Sequence, residues 1–353
     1  MTTDTPTSAE LDQHPRGSLG WLRAATRDIT GQAVAEVTAP GGKGRDSVRV
    51  RLEDGRSVIA TLRSSAGRAS VEALLLGVLS AEGAPVPKPL GFKHGLLLQQ
   101  DLGQARVSRA MHAAPDAETR ARLARAAMDA LKACRAAIAR RPKVLGSLPA
   151  VGTLPGWTEE FVSRSFFLSG DLGIAPPAMD AEAVEQAITV PPEGFTRWDA
   201  RLANAALTPE GRVVWFDWDM FGRRGGVEDL GWLLADDWWM PDAAASDALL
   251  EAALPDPAPR LLARRMALLI AADRLHRIRR RVQKRGWAAA EDALRLDRMG
   301  NVPEVVERTA ARMAEMAAAD PLLGGLSDWF AAAGAAILAL EGGTDRPGAE
   351  GSG

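Results

Sequence analysis

The chain has 353 residues, 46% hydrophobic and 25% charged, which is enough to bury two cores, and its formal net charge of -2 argues against a dedicated nucleic-acid partner. A single cysteine, Cys134, rules out an intrachain disulfide and a cysteine-rich zinc site, so a reducing cytoplasm is the expected compartment. Residues 1–18 are polar and no apolar run reaches the roughly 20 residues of a spanning helix, so neither a signal peptide nor a membrane partner is expected.

After a flexible start over residues 1–18, the pattern predicts a short helix over 19–30 and strands over 33–37, 47–52 and 57–62. Val48, Val50 and Leu52 alternate with Arg49 and Arg51, and Glu53-Asp54-Gly55-Arg56 supplies a tight turn, so the second and third strands form a hairpin. Val71, Leu74, Leu75 and Val78 then mark a helix over 70–81 that stops at Gly83. Pro85, Pro87 and Pro89 impose an extended segment ahead of an apolar strand over 95–99.

Beyond Asp101-Leu102-Gly103 the pattern changes to long Ala/Arg-rich helices. Leu123, Ala127, Leu131, Cys134 and Ile138 form one apolar stripe over 118–141, and similar stripes recur over 157–167, 227–237, 260–284 and 302–319. The basic run over 277–285 reads as a solvated helix face. A hairpin interrupts the helices, with strands over 204–207 and 213–216 joined by Thr208-Pro209-Glu210-Gly211. The expected organisation is α+β and two-lobed: a sheet lobe over 19–103, a larger helical lobe over 104–340, and a flexible tail over 341–353.

The central hairpin carries the chemistry. Asp199 lies in the loop before it, Asn204 opens its first strand and Asp217 ends its second. Phosphoryl transfer asks a protein mainly to position its partners and to stabilise charge spread over oxygens, and magnesium takes one or two hard oxygen ligands from protein. A strand-end carboxylate and a hairpin amide suit that metal, and a loop carboxylate can take the proton of an acceptor hydroxyl.

The segment resembles the aminoglycoside phosphotransferase and choline kinase-like family of small-molecule kinases. Their catalytic loop reads His-Gly-Asp-x-x-x-x-Asn, a later segment reads Ile-Asp-Trp/Phe-Glu/Asp, and a third ends Asp-Leu-Ala. Arg197-Trp198-Asp199 to Asn204 stands in the first place, Phe216-Asp217-Trp218-Asp219 in the second and Glu228-Asp229-Leu230-Gly231 in the third. The resemblance implies a protein-kinase-like fold that moves the gamma-phosphate of ATP or GTP to a hydroxyl of a small-molecule acceptor, with Mg2+. It makes Asp199 the catalytic base, Asn204 and Asp217 the magnesium ligands, and Asp229 a structural residue.

Upstream, Gly41, Gly42 and Gly44 lie in a loop whose backbone amides suit phosphates. Glu72 resembles the family's ion-pair glutamate, and Gln100 and Leu102 stand in a segment that resembles the hinge whose backbone meets the adenine edge. The family's strand lysine is missing. Counting from Gly55 points to Ala60 or Thr61, whereas Arg63 lies two residues on and serves equally as a phosphate-binding fork or a strand-end solubiliser. The missing lysine, and Arg197 and Trp198 in place of His-Gly, leave a non-catalytic, nucleotide-sensing or partner-binding relative as the alternative. For the acceptor, Asp236, Asp237 and Asp242 with Trp238 and Trp239 suit a cationic amine, while Arg264, Arg265, Arg274 and Arg277 suit an anion.

Overall fold

The computed structural model describes residues 11–39 and 46–341. The chain divides into two compact units, one of Met1–Ala105, Ala136–Leu148 and Ala206–Asp219, the other of Arg106–Arg135, Pro149–Ala205 and Met220–Gly353.

The first unit is built on a helix, α1 (Leu19–Thr30), and five strands, β1 (Val34–Thr38), β2 (Ser47–Leu52), β3 (Ser57–Leu62), β4 (Pro89–Lys93) and β5 (Leu96–Gln100). Ser18 caps α1 by accepting the Trp21 N–H, and Gly31 ends it in the left-handed conformation, φ 69°, which costs a residue without a Cβ nothing. The strands form one antiparallel sheet in the order β1-β2-β3-β5-β4. Period-two alternation sends Val50, Leu52, Val58, Ala60, Leu96 and Leu98 to one face, where they pack on Trp21, Leu22 and Ala25 of α1.

Two local differences from the sequence expectations have physical causes. The stretch after the prolines forms a hairpin instead of leading as a single extended segment into one strand, because His94 and Gly95 both take positive φ (57° and 77°) as a two-residue turn requires. The helix α2 (Ala66–Ala81) starts earlier than expected, capped by Ser65, and buries Ala69, Glu72, Leu75, Leu76 and Leu79. Leu74, expected on the apolar stripe, is 52% exposed instead. The Glu72 carboxylate, buried on the inner face against Arg63, sets that rotation.

Also in the first unit, the strand over Val213–Trp215 pairs within the expected hairpin, whose turn closes through Gly211 N–H to the Thr208 carbonyl at 2.9 Å. The segment that follows the strand is bridged by the Trp218 indole, which donates to the Trp215 carbonyl at 2.8 Å.

The second unit is helical around α3 (Pro257–Arg285), which Asp256 and Pro257 begin in the manner of a capped helix. Its middle, Met266–Leu275, is buried on every side, against helices over Trp157–Leu172, Glu228–Leu234 and Pro303–Ala318. A short antiparallel pair that periodicity did not signal, Gly194–Thr196 with Gly222–Arg224, leads into the loop of Asp199. Glycine is required at Gly194, where a Cβ would come within 2.7 Å of the Gly226 backbone. No helix among the described residues is long and apolar enough to cross a membrane.

Cys134 belongs to this core. Burial pushes its thiol up to about 12, so almost no thiolate exists at neutral pH. Iodoacetamide at pH 8 is therefore expected to leave the folded chain unmodified and to alkylate it after unfolding, as mass spectrometry would read; rapid native-state labelling would contradict the packing.

Candidate active site

In the second unit the loop after Thr196 is organised around the backbone of Asp199, which takes φ 71°. A non-glycine residue in that region costs roughly 1–2 kcal/mol, so something must hold it. Three donors converge on the Asp199 carbonyl: Arg197 Nη1 at 2.9 Å, Arg201 N–H at 2.9 Å and Asn204 Nδ2 at 3.4 Å. Asn204 ends a 3-10 turn over Leu202–Asn204 instead of lying in the strand proper, and its Nδ2 also reaches Asp199 Oδ2 at 3.3 Å. Its amide oxygen has no hydrogen bond among the described residues, a hard donor of the kind magnesium takes.

The Asp199 carboxylate has a second neighbour, Arg201, whose Nε stands 2.9 Å from Oδ1 as an ion pair. The turn is tied down further along: Leu202 N–H donates to Asp236 Oδ2 at 3.3 Å, and Trp238 N–H to Asp236 Oδ1 at 2.8 Å. Trp198, which stands where the resembled loops carry Gly, is buried among Trp157, Phe161 and Trp232 with ring centroids at 5.5, 6.2 and 5.5 Å. That aromatic packing replaces whatever smaller residues would leave at this point.

The acidic corner expected to meet a cationic acceptor is closed at two of its three acids, whereas Asp242 is exposed and caps a helix by accepting the Ala245 N–H. Asp236 and Asp237 are buried; Asp237 accepts two hydrogen bonds from the Arg274 fork and one from Gly300 N–H. Burial opposes its ionisation, but Arg274 holds Asp237 below its ordinary range, while burial and the Asp237 charge push Asp236 up to about 6. Trp238 and Trp239 are buried too, and the arginines proposed for an anion are paired: Arg264 with Asp247, Arg265 with Asp320, Arg274 with Asp237 and Arg277 with Asp273. Apart from Arg277, whose side chain is 58% exposed, these long side chains form an internal frame.

Asp229 is part of that frame. Burial raises its carboxyl to about 6 although the Arg135 charge pulls it down. An acid whose pKa is higher folded than unfolded contributes most stability below its ordinary value, 3.8, and loses it as pH rises through about 6. The melting temperature of Asp229→Asn relative to wild type is expected to move in the variant's favour across that window; a constant difference would contradict it.

In the first unit, Arg63 follows β3 directly and is 7% exposed. Its Nε and Nη2 donate to Glu72 Oε2 and Oε1 at 2.8 and 2.9 Å, and Nη2 also donates to Asp217 Oδ1 at 3.1 Å. Asp46 and Asp219 stand at 3.5 and 3.7 Å from the same guanidinium. Burial lowers the Arg63 pKa, but Glu72 and Asp217 outweigh it and keep the group firmly charged. Ala60 and Thr61, where counting from Gly55 pointed, are buried; Thr61 Oγ1 lies 2.8 Å from Ser47 Oγ. Glu72 faces inward because its partner is there, and this turns the exposed side of α2 toward Leu74.

Asp217 also takes a left-handed backbone, φ 58°, and its side chain is 39% exposed. Asp219 is held by Arg68 at 3.0 Å. In the hinge-like stretch Gln100 N–H donates to the Lys88 carbonyl, and half-buried Leu102 follows Asp101. Asp101, which periodicity gave no reason to single out, anchors this stretch: it accepts from Arg49, Ser57 and Gly103 N–H at 2.6, 2.7 and 2.9 Å. Gly41, Gly42 and Gly44 lie outside the described residues. Among the described residues no group of three or more His, Cys, Asp or Glu can hold a metal by itself, so a magnesium ion here would lean on phosphate and water, as that ion ordinarily does.

No protein-family model and no curated protein matches the sequence. Among solved structures the chain is similar to spectinomycin phosphotransferase in its AMP-bound complex, at 10% identity and a TM-score of 0.52, over 85% of this chain and 98% of that one. An aminoglycoside phosphotransferase from Alicyclobacillus acidocaldarius aligns at 14% identity and a TM-score of 0.49, over 80% and 91%. A choline kinase from Streptococcus pneumoniae aligns at 12% identity and a TM-score of 0.39, over 79% and 94%. At such identities the likeness is one of fold. The chain shares the α+β, two-lobed protein-kinase-like fold of spectinomycin phosphotransferase, the fold of the aminoglycoside phosphotransferase and choline kinase-like group that the segment from Arg197 to Asn204 resembles.

Proposed function

We propose that the chain is a small-molecule kinase that moves the terminal phosphoryl group of ATP or GTP to a hydroxyl of a small-molecule acceptor. The observation that carries this is the Asp199 loop: a strained aspartate held by three donors at its carbonyl, with its carboxylate beside the Asn204 amide. Backbone strain of this kind persists where the surroundings over-determine it, and it concentrates at functional sites. The Asp199 carboxylate accepts a hydrogen bond from the acceptor hydroxyl and then its proton, a step worth about 10²–10⁴ in rate. Asn204 and Asp217 have the roles of magnesium ligands, and the ion, when bound, neutralises charge on the phosphate oxygens.

Arg63 supports an active reading over a non-catalytic one. It is paired with Glu72, the partner that the absent lysine would have, and a guanidinium fork binds phosphate well. Gly41, Gly42, Gly44, Gln100 and Leu102 keep the nucleotide-binding roles that the resemblance gives them. The acceptor is not expected to be gripped by Asp236 and Asp237, whose carboxylates are already spent.

Binding of ATP or GTP with Mg2+, read as a thermal shift, tests the first step. At a hundredfold excess over the dissociation constant, saturating nucleotide is expected to add about 2.7 kcal/mol of stability. No magnesium-dependent shift with either nucleotide would sink the proposal.

A further inference from the structure

Every arginine of α3 from Arg260 to Arg279 meets a carboxylate. The pattern stops there. Arg280, Arg281, Lys284 and Arg285 fill the last turns of the helix, and none of them meets a carboxylate among the described residues. A fifth cation comes from outside the helix. Buried Asn301 donates through Nδ2 to the Gly286 carbonyl at 2.9 Å and accepts the Ala288 N–H on its own carbonyl at 2.9 Å, which laces the loop carrying Arg298 to the end of α3. Burial, and then the charges of Arg285 and Arg298, push the half-buried Arg281 guanidinium below its ordinary value. Attraction of cations to a helix C-terminus accounts for Lys284 and Arg285 but not for this grouping. That effect fades within the last turn, whereas Arg281 lies a turn earlier and Arg298 is off the helix. Like charges four residues apart destabilise a helix, and an anion between them offsets the cost.

We infer that the end of α3 and the loop laced to it form a phosphate-binding site, in which Arg281, Arg285 and Arg298 hold the oxygens of a phosphate ester. A guanidinium fork matches two phosphate oxygens at once, so a phosphate engages several forks where chloride engages none in that way. The helical cations of the site all lie between Arg280 and Arg285, and the whole chain carries a net charge of -2. That extent suits a single phosphate group and not the long charged backbone of a nucleic acid. The ester is a soluble small molecule or the headgroup of a lipid, which share this chemistry. The site has no residue in common with the Asp199 loop, and it stands whether or not the chain transfers phosphate.

The test uses the full chain at fixed ionic strength, with inorganic phosphate as the first probe and chloride as its control. Wild type is expected to bind phosphate, read by calorimetric titration and by a rise in melting temperature that chloride does not give. Arg281→Gln and Arg298→Gln are each expected to weaken that binding about 10-fold or more, the worth of a charge-assisted hydrogen bond, and the double variant to weaken it further. Without phosphate, both variants are expected to melt at or above the wild-type temperature, because a like charge has been removed. Asp199→Asn is expected to bind phosphate as wild type does, so failure of the kinase proposal and failure of this one are read separately. Glycerol 3-phosphate and vesicles of phosphatidylglycerol in phosphatidylcholine tell the two sources apart. Binding of the soluble ester alone supports a small-molecule ligand, and sedimentation with the vesicles, lost in Arg281→Gln, supports a headgroup. Equal effects of phosphate and chloride would overturn the inference. So would phosphate binding that survives in the double variant, or a melting temperature that falls in phosphate-free Arg281→Gln, since the arginine would then serve the fold.

Discussion

Asp199→Asn is expected to lower phosphoryl transfer by about 10²–10⁴-fold while nucleotide still binds and the chain still melts near the wild-type temperature. Asparagine is the informative substitution because it tolerates the left-handed backbone that Asp199 occupies at φ 71°. It keeps an amide oxygen toward Asn204 and removes only the basic carboxylate. Alanine would also remove the base, but it adds roughly 1–2 kcal/mol of backbone strain to the loop, and part of its effect would then be misplacement. Steady-state kinetics with a calorimetric nucleotide titration separate the two outcomes. Full turnover in Asp199→Asn would dispose of the assigned base.

Arg63→Ala is expected to cost about 3–5 kcal/mol of stability and to weaken nucleotide binding, because it strands the buried Glu72 carboxylate without its partner. Asp217 and Asp219, which face the same guanidinium, add like charge that would then stand unopposed. A buried pair replaced on both sides by apolar groups of similar volume is often neutral or better. The double variant Arg63→Met with Glu72→Leu is therefore expected to regain most of the melting temperature. It should regain none of the nucleotide affinity. Denaturant titration reads the first effect and nucleotide titration the second. If the double variant recovers binding along with stability, Arg63 is scaffolding and not a phosphate clamp.

These two residues also show what is legible in the sequence and why the rest is not. The Asp199 loop is legible in part because Asn204 follows within one short turn, and its amide does reach the Asp199 carboxylate at 3.3 Å. Strands β2 and β3 are legible because alternation of Val and Arg with an Asp-Gly turn specifies register, and Val50 does face Val58. Arg63 is only half legible. Counting along β3 reached Ala60 or Thr61, because the useful residue lies just past the strand end, and its meeting with Glu72 depends on how α2 is rotated.

Long-range pairings were hidden for the same reason. The strand over Gly194–Thr196 is three residues long and pairs with Gly222–Arg224, too short for any periodicity to mark. The roles of Asp236 and Arg274 were misread, since a run of acids next to tryptophans looks the same in sequence whether it faces solvent or an internal arginine.

The central claim is phosphoryl transfer, and its most direct measurement follows label from γ-32P ATP or GTP into a panel of small-molecule alcohols with Mg2+ present. Magnesium-dependent label on an acceptor, lost in Asp199→Asn, is the predicted result. Nucleotide binding with no label on any acceptor would contradict it.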